Sequence, residues 1–429
     1  MLRIIPALFI LSALAAGQYP IMTVVDCSRD SIVASIEFEA IGIEPVVWAP
    51  KDNRVYATSA YDFWAVDCST DQIVGREEGR FGIWTEYSYD SLDNKLYCPD
   101  TREFFVYDCN QLAVVDTISF HETLWDHVWL STTNKVYVAL SEQQGFSVVD
   151  CAADSVTNFI WTPGRPPGNA CPVDSGRKLY FSRRSAVGVV DVAAETLLAD
   201  IDLYYEYYDL LWNPVTNRAY AWCSYRRLYV IDCVGDTVVD SIPCPGTDYW
   251  LNSRDNRLYM TDGSDPGILS LDLNSGVYDD TLDGLVLNSL VWDSLDNKLY
   301  GILGGCLGFC DTIVVIDCST FTVIRQIQLP NLSAYGLVWN PAMNKLYVGG
   351  DNWQGDVESE ASPCRPVPGH PTILRAPDLA RFDGRLLDIQ GRDVTVQKGA
   401  LRPGVYFLRQ EWSSGPVPQW PSRKVIVTR

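Results

Sequence analysis

Two short phrases recur along this chain at one shared interval, and that interval limits the fold more than any other feature. The first reads Asn-basic-x-Tyr (NRVY, NKLY, NKVY, NRAY, NRLY, and once RKLY). It places Tyr56, Tyr97, Tyr137, Tyr180, Tyr220, Tyr259, Tyr300 and Tyr347 at spacings of 41, 40, 43, 40, 39, 41 and 47 residues. The second is apolar-apolar-Asp, at Asp26, Asp67, Asp108, Asp150, Asp191, Asp232, Asp272 and Asp317, and Cys follows it in six of the eight copies. Two independent landmarks holding one period of about 41 define a repeat architecture, in which each unit is one supersecondary element.

Each unit reads as four short strands. The first ends near an aromatic eight residues before the landmark tyrosine (Trp48, Tyr89, Trp129, Trp212, Trp292, Trp339), and an Asn-containing turn follows. The Tyr phrase makes the second strand and the Asp phrase the third. An alternating, β-branched run such as DSIVASIEF or FTVIRQIQL makes the fourth. Four strands per unit with no helical pattern between them predict an all-β propeller. The chain opens on an Asp phrase with no Tyr phrase before it and closes on a Tyr phrase with no Asp phrase after it. Joined, these halves make one more blade, giving eight, closed by strands from both ends and leaving no open edge. Seven blades with the orphan strands elsewhere is the alternative. The repeated Asp is expected to cap turns rather than to perform chemistry.

On NKLYVGG (344–350) and VVIDCST (314–320), residues 21–350 resemble the YVTN family of β-propeller repeats, with Cys where that family usually carries Thr. The resemblance implies an exported or surface-layer protein and specifies fold more than activity.

Other features bear on location. A basic residue, the apolar run IIPALFILSALAAG and a small-residue site near Ala13–Ala15 read as a signal peptide over residues 1–17, too short to span a membrane. Of the formal net charge of −21, residues 376–429 carry +4 and 351–375 carry −2, leaving −23 on residues 1–350. So acidic a body repels nucleic acid and anionic lipid. An exported chain with 13 Cys would ordinarily suggest disulfides. Yet Cys27, Cys68, Cys109, Cys151, Cys233 and Cys318 occupy equivalent places in different units, so they are expected to stand apart and fill a repeated apolar niche. Cys306 and Cys310 are the best candidates for a local pair.

After the propeller (18–350), residues 351–375 are rich in Pro, Gly, Ser and acid and read as a linker. RLLDIQGRDVTV, LRPGVYFLRQEW and RKVIVTR then predict three strands. Their spacing resembles the C-terminal sorting domain of type IX secretion, with Asp388, Gly391, Arg392, Gly404, Tyr406, Arg409, Lys424 and Arg429 on its motif positions. The resemblance implies passage through a periplasm to the cell surface or medium, with the secretion machinery as a partner. A small accessory β domain is the alternative.

Catalytic patterns are sparse. The sequence contains no HExxH, GxSxG or phosphate-binding loop and implies no cofactor. His121 and His127, six apart in FHETLWDHVW, would share one side of a strand near Glu122 and Asp126; a metal site there is weighed against two strand-edge histidines. The most variable segments join the fourth strand of one unit to the first of the next. They carry Trp84, Trp125, Tyr204, Tyr205, Tyr207, Tyr208 and Tyr249 with Glu86, Glu122, Glu206 and Asp248, a candidate aromatic and acidic rim for a protein or carbohydrate ligand. Inter-blade packing is the competing role for these rings. A binding or structural scaffold is the leading expectation. A lactonase- or lyase-like propeller enzyme, using a metal or carboxylates at the channel mouth, is the alternative.

Overall fold

The computed structural model describes residues 21–352, apart from 41, 60–61, 80–86, 165, 184, 204–206, 224–225, 247, 262–266, 305–310 and 331, together with 372–375, 385–387, 404–409 and 423–428. Eight four-stranded antiparallel sheets form the blades of a propeller ring. Blades 1 to 7 span residues 44–78, 88–119, 124–161, 170–202, 207–243, 248–283 and 287–328, with strands running from innermost to outermost in chain order. Blade 8 is built from both ends of this region. Leu332–Asn340 and Lys345–Asn352 supply its inner half, Ile21–Asp26 and Ser31–Glu37 its outer half. The seam is antiparallel, with Thr23 opposite Val348, Val24 opposite Tyr347 and Asp26 opposite Lys345.

Tertiary packing follows from strand alternation. The middle strands are buried along nearly their whole length, whereas outer strands alternate, as in SIVASIE. The core therefore lies between blades. One cluster joins Met22, Val24, Phe38 and Tyr347 of blade 8 and its exit to Val55, Trp64 and Val66 of blade 1. All eight landmark tyrosines are buried to 1% exposure or less.

The turns explain the repeated polar residues. Seven left-handed asparagines close the turns between first and second strands: Asn53, Asn94, Asn134, Asn217, Asn256, Asn297 and Asn344. Blade 4, where Arg replaces Asn in the phrase, uses Asp174 and Ser175 instead. In five blades the left-handed Asn accepts from the preceding indole, for example Trp212 Nε1 to Asn217 Oδ1 at 3.0 Å. Each repeated Asp accepts a backbone N–H two or three residues on, from Asp26 (Ser28 N, 2.9 Å) to Asp317 (Ser319 N, 2.8 Å). The capping role expected from the sequence is the one observed.

A second left-handed position, four residues after each repeated Asp, receives the neighbouring blade. Lys345 Nζ donates to Asp71 at 2.7 Å and to the Cys68 carbonyl at 2.9 Å, while Tyr347 Oη donates to Asp71 at 2.8 Å. The same clamp joins Lys95 and Tyr97 to Asp154, Lys178 and Tyr180 to Asp236, and Lys298 and Tyr300 to Asp30; Lys135 pairs with Glu195. Where the basic residue is Arg, the left-handed position is not acidic. Opposite Arg54 it is Leu112, opposite Arg218 it is Gly276, and opposite Arg257 it is Phe321, on which Tyr259 stacks with ring centroids 5.4 Å apart. Gly276 sits at φ +69°, a conformation that a glycine adopts without steric cost. The six cysteines after the repeated Asp are buried and unbridged, as expected. Burial pushes the thiols of Cys27, Cys109, Cys151, Cys233 and Cys318 up to about 12.

A separate four-stranded sheet lies toward the C-terminus, ordered Thr372–Arg375, Arg423–Thr428, Gly404–Arg409, Arg385–Leu387. The first pair is parallel and the others are antiparallel. Three strands fall within the predicted segments. The fourth, Thr372–Arg375, is the β-prone run TILR at the end of residues 351–375 and pairs with the last strand.

Candidate functional site

The hairpin topology gives the ring two unlike ends. All six lysines of residues 21–352 lie at the end carrying the turns between first and second strands. Lys51 is in such a turn, and Lys95, Lys135, Lys178, Lys298 and Lys345 each begin a second strand. Every one donates to an adjacent blade. The opposite end, the mouth, gathers the connections between blades. A carboxylate residue from each blade lies there: Glu44, Asp100, Glu122, Asp202, Asp209, Asp248, Asp311 and Asp351. Its cations are arginines such as Arg76, paired with Asp62 at 3.3 Å, and Arg183, paired with Asp200 at 2.5 Å.

β-Bulges interrupt the inner strand near the mouth in blades 3, 5, 7 and 8. The extra residues are Trp125, Tyr208, Asn288 and Tyr335, each twelve positions before the landmark tyrosine; blade 1 has a comparable bulge at Val46. A bulge re-aims a side chain out of the alternating pattern. Trp125 is 67% exposed. The Tyr335 phenol is half-buried, and burial, then Asp351 and Glu44, push its pKa up. A Cβ on Gly42 (φ +59°) would come within 2.6 Å of the Tyr335 hydroxyl and 2.8 Å of Asp351, so glycine is required for this close approach.

Two carboxylates stitch the inner strands together beside Trp125. Asp126 Oδ2 accepts Ala170 N of blade 4 at 2.6 Å, and Asp209 of blade 5 accepts Asn169 Nδ2 at 3.2 Å. Cys171 lies between them; burial, then Asp209, pushes its thiol up to about 12, so it is no thiolate nucleophile at neutral pH.

The predicted rim residues fall into three groups. Trp125 stands open, and Glu122 accepts the backbone N–H of Glu142 at 2.9 Å. Tyr207, Tyr208 and Asp248 are placed on inner strands by their backbones, while Tyr249 packs against the core of blades 5 and 6, burial and then Asp209 pushing its phenol up. Trp84, Glu86, Tyr204, Tyr205 and Glu206 lie outside the described residues, as do Cys306 and Cys310. Of the tail residues, Gly404, Tyr406 and Arg409 lie on one strand and Lys424 on the next; Asp388, Gly391, Arg392 and Arg429 are outside the described residues.

The histidine pair corrects a sequence expectation. His121 is exposed and precedes the strand, whereas His127 is buried edge-on against Phe104, with ring centroids 5.0 Å apart. The bulge at Trp125 breaks the alternation that would have aligned them. Burial lowers the His127 pKa to about 4, so its ring is neutral at neutral pH. Among the described residues no three His, Cys, Asp or Glu side chains are grouped to hold a metal ion, and no helix is long and apolar enough to cross a membrane.

Ring, seam and mouth define an eight-bladed β-propeller whose repeated polar residues serve the ring itself. Its fold is similar to that of dihydro-heme d1 dehydrogenase NirN in complex with DHE (TM-score 0.61, 13% identity, covering 72% of this chain and 73% of that one). It is also similar to the computationally designed Ika8 protein (TM-score 0.57, 12% identity, covering 74% and 96%). No protein-family model and no curated protein sequence matches the chain. At these identities the similarity establishes the fold.

Proposed function

We propose that this protein is an exported propeller scaffold that binds a protein or polysaccharide at the mouth. One observation carries the reading. The repeated Asp, Asn, Lys and Tyr are largely absorbed in turns and inter-blade clamps at one end, while the mouth keeps variable connections, an open Trp125 and an acidic border. An exposed indole stacks on sugar faces or cationic groups, and flanking carboxylates accept their hydrogen bonds. The acidic body disfavours nucleic acid as a partner. The double variant Trp125→Ala/Tyr208→Ala is expected to weaken binding to a retained glycan or Lys-rich peptide about tenfold, the scale of one lost aromatic anchor. Its melting temperature should stay close to the parent's. Binding to glycan and peptide arrays checks this, and a large fall in melting temperature would assign the rings to packing.

For location, the signal-peptide pattern, the YVTN resemblance and the sorting-domain resemblance of the tail support export through a periplasm to the surface or medium. Because Thr372–Arg375 pairs with the last strand, the cut that removes the whole module lies before residue 372. Removing residues 353–429 is expected to leave a folded propeller trapped in the periplasm, measured by fractionation of the native host. Delivery outside the cell at undiminished efficiency would refute the sorting role.

A further inference from the structure

The first strand of each blade ends on a residue at the turn end of the ring. In blades 5, 6 and 8 it is asparagine, and Asn213, Asn252 and Asn340 are fully buried. Each spends its Oδ1 on the following turn, accepting Val215 N at 2.9 Å, Asp255 N at 3.0 Å and Met343 N at 3.2 Å. Each then donates Nδ2 to the Oδ1 of the next blade's left-handed asparagine: Asn256 at 2.5 Å, Asn297 at 2.9 Å and Asn53 at 3.0 Å.

Blades 2 and 7 carry Asp90 and Asp293 at this register, opposite Lys95 and Lys298, and both are fully buried. Their Oδ1 atoms form the same turn, accepting Leu92 N at 2.8 Å and Leu295 N at 2.8 Å. The Oδ2 atoms, at the register of the amide nitrogen, are buried without a hydrogen-bond partner. In the next blade the matching asparagines are Asn134 and Asn344, and their orientation is fixed from two sides. Oδ1 accepts from an indole, Trp129 at 3.2 Å and Trp339 at 3.3 Å, and an indole N–H can only donate. Nδ2 donates to Asp93 at 2.8 Å and Asp296 at 2.9 Å. A carboxylate at this register therefore turns a lone pair toward a second acceptor, whereas a carboxylic acid can donate there.

We propose that Asp90 and Asp293 are neutral carboxylic acids in the folded ring and donate, in place of the asparagine amide, to Asn134 and Asn344, so that two junctions tighten in acid and loosen as pH rises. Asp90 is faced by Asp93 and Lys95 of its own blade and by Cys151 and Asp154 of blade 3. Asp293 is faced by Asp296 and Lys298 and by Cys27 and Asp30 of blade 8. Neither lysine is free to neutralise them, since Lys95 is clamped to Asp154 and Lys298 to Asp30. Burial raises both carboxyls above their ordinary value, with the turn amides opposing part of the effect. A raised folded-state pKa means that the stabilisation is complete below the ordinary carboxylate value and is lost as pH rises through the folded one.

The test compares full-length parent with Asp90→Asn, Asp293→Asn and the double variant by thermal unfolding at about pH 4 and about pH 7, on either side of the carboxylate range. The double variant should melt about 2–4 °C higher at the upper pH, the shift expected for about 1 kcal/mol in a large domain, and the gain should vanish at the lower pH. The infrared carbonyl band of protonated carboxylic acid should persist in the parent above the pH at which ordinary carboxyls have ionised, and should lose intensity in the double variant. Conversely, Asn213→Asp should import the same pH dependence into blade 5. A double variant with no gain at neutral pH, or with an equal gain at both, overturns the proposal. Stabilisation of the parent by added calcium but not of the double variant would assign the position to a cation and overturns it equally.

Discussion

Deleting residues 18–40 is expected to abolish cooperative unfolding of the ring or to convert the monomer into an associating species. The deletion strips blade 8 of its two outer strands and leaves the Lys345–Val348 row of backbone donors and acceptors unpaired, an edge that recruits another chain. It also removes Met22, Val24, Ile36 and Phe38 from the core between blades 8 and 1. At about 1.5–3 kcal/mol per buried apolar side chain, that loss rivals the whole stability of a typical domain, about 5–15 kcal/mol. Asp30, which receives Lys298 and Tyr300, goes too. Light scattering after gel filtration, with a denaturation curve, reads the outcome. A monomer with the parent's melting temperature would show that the seam contributes nothing.

The second large effect is expected at the clamp. Asp71→Leu leaves Lys345 without its carboxylate in a site where both side chains are only 15% exposed, and it removes an acceptor from the buried Tyr347 hydroxyl. Loss of one partner of a buried pair costs about 3–5 kcal/mol. The solvent reaching this site puts the expectation at the lower end, about 3 kcal/mol. The ring itself suggests the compensation, because blade 1 presents Arg54 to Leu112 of blade 2. Arg54 donates to the Cys109 carbonyl at 2.7 Å and turns to Asp52 of its own turn at 2.9 Å. Blade 8 has Met343 at the position of Asp52, so adding both Met343→Asp and Lys345→Arg to Asp71→Leu should recover part of the loss, measured as the midpoint of chemical denaturation. A single variant within about 0.5 kcal/mol of the parent would reduce the clamp to an ordinary surface pair.

The ring was legible in the sequence because its determinants recur in register. Asparagine at a left-handed turn, a buried tyrosine and a turn-capping aspartate each need one residue type at one offset, so eight copies reinforce one another. The orphan halves at Asp26 and Tyr347 likewise announced the seam. The pairing rule was present but less obvious, since it links the basic residue of one unit to a residue about 59 positions on, four past the next unit's Asp. Lys faces Asp or Glu in five junctions, and Arg faces Leu, Gly or Phe in three. The mouth was harder to read. Its bulges shift the alternation by one residue, which separated His121 from His127 and opened Trp125 while Tyr249 packed into the core. The sequence offered Asp126 only as a neighbour of the histidine pair and did not single out Asp209; their role as stitches depends on Ala170 N and Asn169 Nδ2 brought close by the adjacent blade.

Every clamp points the same way round: a blade grips its successor and is gripped by its predecessor. In the language of assemblies this is a heterologous contact, the head-to-tail kind that generates a closed cycle when the rotation per step divides the circle and an open filament when it does not. Here one covalent chain supplies all eight subunits, and the last contact, from Lys345 to Asp71, brings the cycle back to its start. The backbone seam and the polar cycle close at different junctions, one inside blade 8 and the other between blades 8 and 1. A circular permutant that joins Asn352 to Ile21 and opens the chain between blades would preserve the cycle while erasing the seam, and would separate what the order of the blades contributes from what their shared strands do.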